Sequence, residues 1–218
     1  MRLAIFYEEG KGVSQDYKEA AKWYLKAASQ GKWAAQGRLA HLYEEGKGVD
    51  RDYKEAFKWY RLSAENGDAF GQLGFGRMYL NGTATLGDYC KAFEWFNKSA
   101  DQGNAEAQFE IAQMYSKGKG MAADGVKALM WAKISTASGF DKTTNFQKEV
   151  ISKLAPEQIE KAQTLANAWI EKHPITLSPP RTSVDKMALA AFIAIIAAAA
   201  FSRIKSKKIK SMKEKDGR

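Results

Sequence analysis

The segment YEEGKGVSQDYKEAAKWY at residues 7–24 recurs as YEEGKGVDRDYKEAFKWY at 43–60, a displacement of 36 residues. The same displacement continues along the chain. It joins Tyr7, Tyr43, Tyr79 and Tyr115; Trp23, Trp59, Trp95 and Trp131; Gly10, Gly46, Gly82 and Gly118; Asp16, Asp52, Asp88 and Asp124; Ala20, Ala56, Ala92 and Ala128; and Gly31, Gly67, Gly103 and Gly139. Columns held in one register across four copies restrict the fold more than any other feature, because a fixed period of this length marks stacked structural units.

Each unit reads as two helices. Ala35, Leu39 and Tyr43 fall at i, i+4 and i+8, with Ala40 beside them, which makes an apolar stripe on a first helix. Gly46 ends that helix, and the loop GKGVD follows, its glycines free to take positive φ and Val49 turned inward. Asp52 precedes a second stripe, and with Glu55 it forms the D-x-x-E version of a capping box that Asp16 and Glu19 repeat. Units three and four carry Lys91 and Lys127 at the reciprocal position, so weaker caps are expected there. In the second helix Ala56, Trp59, Tyr60, Ser63 and Ala64 form the buried face and Gly67 closes it. One such hairpin cannot cover its own apolar stripe. Stability must come from stacking on neighbours, and an all-α solenoid is the expected product.

These residues resemble the Sel-1-like repeat, a branch of the tetratricopeptide superfamily. Its pattern is a first helix A-x-x-x-L-[GA]-x-x-Y-x-x-G, a loop G-x-G-V-x-x-D and a second helix K-A-x-x-W-[YF]-x-K-A-A. The match covers residues 1–139. Unit two fits nearly throughout, unit three departs in its loop NGTATLGD, where Ala84 stands for the second glycine, and unit four has GMAAD for G-V-x-x-D. Unit one enters inside its first helix, which predicts an upstream segment. The resemblance implies a right-handed, tetratricopeptide-like superhelix with the first helices on its concave side. It also implies adaptor roles that bind protein or peptide partners. Some similar proteins are credited with penicillin binding or hydrolysis, but those are disulfide-rich and this chain has one cysteine, Cys90.

After residue 139 the period stops while helix signals continue. Phe146, Val150, Ile151 and Leu154 suit one amphipathic helix, and Pro156 opens another lined by Ile159, Ala162, Ala166, Trp169 and Ile170. Residues 140–172 are therefore expected to be a C-terminal capping helix pair with a polar outer face of Glu157, Glu160, Lys161, Glu171 and Lys172. Residues 173–186 form a Pro/Ser-rich linker, and residues 187–202 contain no charge. With Ile204 they make a separate hydrophobic helix over 187–204. It is short for a span of the roughly 30 Å hydrocarbon core but flanked by Lys186 and Arg203, which can snorkel. A single-pass anchor and membrane association are the expectation; the alternatives are a helix lying on the membrane surface or packing back on the solenoid, or a disordered tail, and a chain without the anchor is expected to be cytoplasmic. The basic tail at 205–218 completes the chain. Formal net charge is +9, yet residues 203–218 hold eight Lys/Arg against two acidic groups, so the rest is nearly balanced. That distribution excludes a uniform basic field for nucleic acid and leaves the tail as the one candidate for anionic lipid or nucleic acid.

Catalytic signatures are missing. No dinucleotide fingerprint, P-loop, H-E-x-x-H, G-x-S-x-G or paired-cysteine motif occurs, and the glycine-rich stretches recur with the repeat as turns. His41 and His173 are too few for a histidine-based metal site, and Glu8, Glu9, Glu44 and Glu45 read as solvated helix ends. No enzyme activity, cofactor, metal or small-molecule substrate is expected. What remains is a surface. Turning about each first helix, the face opposite the buried stripe holds His41 and Glu44 in unit two, Phe70, Leu73, Arg77 and Leu80 in unit three, and Glu106, Phe109 and Gln113 in unit four. Large apolar residues around an arginine suit a partner anchor, with packing between adjacent units as the alternative for Phe70 and Leu73.

Overall fold

The structure is a computed structural model that describes residues 1–173. These residues are all-helical and contain no strand. The first unit contributes α1 (Arg2–Glu9) and α2 (Tyr17–Ala28), the second α3 (Trp33–Glu45) and α4 (Tyr53–Glu65). The third contributes α5 (Ala69–Asn81) and α6 (Tyr89–Asp101), the fourth α7 (Ala105–Lys117) and α8 (Gly125–Ala137). A 3₁₀ turn at Asp141–Thr143 leads into α9 (Thr144–Ile151) and α10 (Pro156–Lys172). Each helix of the repeats packs on the next, α3 also meets α5, and no two second helices meet to that extent. The first helices therefore line the inner side of the stack.

The stack is held by one contact repeated. Leu39 and Leu42 of α3 join Ala20, Tyr24 and Ala28 of α2 in one buried cluster. Phe75 and Met78 of α5 do the same with Ala56, Tyr60 and Ala64 of α4, and Ile111 and Met114 of α7 with Ala92, Phe96 and Ala100 of α6. α3, α5 and α7 thus each bury their stripe against the second helix of the unit before them, at about 1.5–3 kcal/mol for every large side chain removed from water.

Two ladders of side-chain hydrogen bonds accompany this packing. The amide nitrogens of Gln36, Gln72 and Gln108 donate to the carbonyls of Ala28, Ala64 and Ala100 at 3.2, 3.3 and 3.2 Å, which satisfies the end of each preceding second helix. Ser63, Ser99 and Ser135 donate to the carbonyls of Trp33, Ala69 and Ala105 at 2.8, 2.7 and 2.6 Å. Unit one has Ala27 in the serine column.

The expected capping box is only half formed. Asp16, Asp52, Asp88 and Asp124 accept from backbone N–H groups in the first turn of the helices they precede. The reciprocal half fails because the N–H of each aspartate is already given to the carbonyl of Tyr7, Tyr43, Tyr79 or Tyr115, at 2.9–3.0 Å. Glu19 and Glu55 turn instead to Lys22 and Lys58, at 2.6 and 3.3 Å.

At the C-terminal end of the repeats α10 covers α8. Ala162 and Ala166 are fully buried, and Trp169 lies against Trp131 with ring centroids 5.4 Å apart. Glu157, Glu160, Lys161, Glu171 and Lys172 are exposed on its outer side. The linker beyond His173, the hydrophobic segment 187–204 and the basic tail 205–218 lie outside the described residues. Among the described residues no helix is long and apolar enough to cross a membrane.

The unit-three loop is the irregular one. Ala84 holds φ at 62°, where the other units have Gly12, Gly48 and Gly120. A Cβ on Gly48 would stand 2.2 Å from the Tyr17 carbonyl carbon, so the alanine-bearing loop cannot approach Tyr53 as closely as Gly48 approaches Tyr17. Replacing Ala84→Gly removes a left-handed non-glycine and is expected to stabilise the fold by about 0.5–1 kcal/mol, partly offset through the unfolded chain. A rise in the urea midpoint at constant m-value checks it; an unchanged or lower midpoint contradicts it.

Candidate functional site

The inner face is built from contacts between units. Tyr24 donates to a carboxylate oxygen of Glu8, and one unit later Tyr60 donates to Glu44 at 2.7 Å. The corresponding residues in unit three are Phe96 and Leu80, and in unit four Ala132 and Ser116. A hydroxyl–carboxylate pair is thus exchanged for an apolar pair at the same two positions, and Leu80 packs on the cluster that contains Phe96. Glu8 and Glu44 are half-buried partners, not the solvated helix ends that the sequence suggests; Glu9 and Glu45 are exposed.

Burial pushes the Glu44 carboxyl up, but His41 at 3.8 Å, the Tyr60 hydroxyl and the field of Arg77 outweigh it and hold the group below its ordinary value. Burial first and Glu44 second push the Tyr60 phenol far up, so it stays a donor across the physiological range. Tyr24 is raised in the same way, by burial and then by Glu8.

Phe70, half-buried at the start of α5, reaches back to unit two. Its ring lies 5.9 Å from His41 edge-on, 6.4 Å from Tyr60 and 5.3 Å beneath the Arg38 guanidinium. Arg38 also approaches Glu8 at 3.6 Å. The Tyr60 ring has its space because Gly74 stands where units two and four carry Arg38 and Glu110; a Cβ there would lie 2.2 Å from that ring.

Arg77 turns the other way. Its Nε donates to Glu110 at 2.8 Å and a terminal nitrogen to Glu106 at 3.0 Å, bridging α5 to α7. Burial alone lowers its pKa, and the two carboxylates reverse that and raise it. The arginine read from the sequence as a partner anchor is therefore engaged within the chain.

Of the sequence-derived site, His41, Glu44, Phe70, Arg77 and Glu106 lie along one continuous strip. Leu73 does not. It is 3% exposed within the core, because the helix turns it toward α6 and α7, and it offers no surface. Phe109 packs on Phe140 and Phe146 at 5.4 and 5.2 Å, at the junction with the cap, and Gln113 is half-buried on α7. Glu8, Arg38 and Glu110 complete the strip over the buried Tyr60 ring; the sequence reads Glu8 as a solvated helix end and does not mark Arg38 or Glu110, since a helical wheel cannot show which unit a long side chain reaches. The swap of Tyr60 and Glu44 for Phe96 and Leu80 was the available signal. On the strip Glu8, Glu44, Glu106 and Glu110 face two arginines. The charge is segregated more widely: α1, α3, α5 and α7 hold four Lys/Arg and six Glu, whereas α2, α4, α6 and α8 hold ten Lys/Arg and five Asp/Glu. Among the described residues no group of His, Cys, Asp and Glu could hold a metal ion, and Cys90 is exposed.

Two-helix units stacked in sequence, with a polar inner strip crossing from unit to unit, define a helical-repeat solenoid of the kind that serves as a protein-interaction scaffold. The chain belongs to the Sel1 repeat family, whose repeat matches residues 1–32, 33–68, 71–104 and 105–140. It is similar to the crystal structure of a Sel1 repeat protein from Oxalobacter formigenes, with 30% identity and a TM-score of 0.65 over 78% of this chain and 71% of that one. It is also similar to c5321, a protective antigen present in uropathogenic Escherichia coli strains that displays an SLR fold, with 34% identity and a TM-score of 0.65. That match covers 78% of this chain, which spans 37% of the length of c5321. No curated protein is significantly similar to the chain.

The Tyr60–Glu44 pair is open to a double-mutant cycle. Tyr60→Phe and Glu44→Leu are each expected to cost about 1–2 kcal/mol by leaving a buried polar group without its partner, and the double variant, which copies Phe96 and Leu80, less than their sum. Strict additivity in chemical denaturation contradicts the pairing. Because the folded pKa of Glu44 is depressed, its contribution is present above the unfolded value of about 4.3 and is lost as pH falls through the folded value. Glu44→Gln should therefore flatten the acid limb of the stability profile below about pH 5.

Proposed function

We propose that this protein is a non-catalytic scaffold that binds an extended protein or peptide segment along the inner face of its repeats, and that the segment carries lysine or arginine. The observation that supports this is the strip from Glu8 to Glu110, where four carboxylates meet two arginines around the half-buried ring of Phe70. Such a strip offers an aromatic contact and surplus negative charge in one place, and complementary charge governs encounter and register. Fluorescence anisotropy with a labelled Lys/Arg-bearing peptide, beside an acidic peptide of the same length, tests it. Binding of the basic peptide should weaken at least tenfold on Phe70→Ala with Glu106→Gln, and fall with added salt. Equal binding of both peptides, or no effect of these substitutions, removes the proposal.

We further propose that the uncharged segment at 187–202 tethers the scaffold to a membrane, on the strength of its composition and its flanking basic residues. Fractionation of the full chain beside one ending at residue 175 should place only the full chain with membranes. If both stay in the soluble fraction, the tether is wrong.

A further inference from the structure

A segment lying on the inner strip meets Phe70 where another cation already stands. The ring packs against the α4–α5 cluster, has His41 at its side at 5.9 Å and Tyr60 at 6.4 Å, and carries the Arg38 guanidinium over its face at 5.3 Å. The two arginines of the strip are held differently. Arg77 donates to two carboxylates, at 2.8 and 3.0 Å. Arg38 reaches one, Glu8, at 3.6 Å, which is beyond hydrogen-bond distance, and Glu8 already accepts from the Tyr24 hydroxyl. The Arg38 side chain is also 42% exposed. Nor does the repeat require it: Gly74 and Glu110 stand in its column in units three and four, and Arg2, which shares the column in unit one, has Ala34 where Arg38 has Phe70.

Resting on the reading of the strip as the binding face, we infer that Arg38 is an internal competitor, filling the place of an arginine of the bound segment until that arginine displaces it from Phe70 and Glu8. The site identifies its own ligand chemistry by what it holds. A ring face with a carboxylate beside it suits a planar guanidinium, which stacks and donates in its plane at once, better than the compact ammonium of lysine. Arg38 gives way because no hydrogen bond has to break when it leaves, whereas Arg77 would surrender two charge-assisted ones. The strip therefore selects arginine over lysine, and Arg38 sets the affinity at which it does so.

Fluorescence anisotropy on the full chain tests this with labelled basic peptides of one length that carry either arginine or lysine, beside an acidic peptide. The arginine peptide is expected to bind about fivefold more tightly than the lysine peptide. Arg38→Gln should tighten the arginine peptide by about five- to tenfold, and by more than Arg2→Gln, which removes the same charge from the same column where alanine replaces the ring. In a Phe70→Leu background the two substitutions should have equal effects. The Arg38 Nε–H resonance, shifted by the Phe70 ring in the free protein, should move to the position of an exposed arginine when the arginine peptide is added. If the basic peptides bind no better than the acidic one, the strip reading falls and this inference falls with it. If they bind better, but Arg38→Gln tightens no more than Arg2→Gln, or the Arg38 resonance does not move, or arginine and lysine peptides bind alike, the strip stands and the internal competitor is overturned.

Discussion

Everything in the described structure depends on one contact: the apolar stripe of a first helix laid on the second helix of the unit before it. No two-helix unit here has enough apolar surface to bury its own stripe, so each unit is folded by its neighbour. The small residues of the second helices, Ala20, Ala56, Ala92 and Ala28, Ala64, Ala100, bring the backbones close. Close approach strands polar groups at helix ends. The glutamine and serine ladders answer this by carrying a donor from one helix to a carbonyl of another at every junction where the residue is present.

The inner strip follows from the same arrangement. A residue on a first helix has another first or second helix beside it, so long side chains meet partners from the next unit before they meet solvent. Arg77 reaches two glutamates of α7, Arg38 reaches Glu8 of α1, and Phe70 is wedged among groups of unit two. A surface built this way is pre-organised: its charged groups are held by ion pairs and rings, with less rotamer freedom left to lose on binding. The exchange of Tyr60 and Glu44 for Phe96 and Leu80 turns one hydroxyl–carboxylate pair into an apolar contact in the next unit, while Arg77, Glu106 and Glu110 keep the strip charged there.

The amino-acid sequence by itself determined the period, the two helices of each unit, the left-handed glycine stops and the capping aspartates. These depend on local spacing and backbone preference, which are readable along one chain. It also marked His41, Glu44, Phe70, Arg77 and Glu106 as sharing a face. Only the tertiary structure decided which of the marked residues remain surface. Leu73 sits in the core, Leu80 answers Phe96, and Phe109 packs at the cap, because each partner comes from another helix and burial is set by what that helix brings. The failed half of the capping box has the same origin: the N–H of Asp52 was free in the sequence reading and is taken, in the fold, by a tyrosine carbonyl of the helix before it.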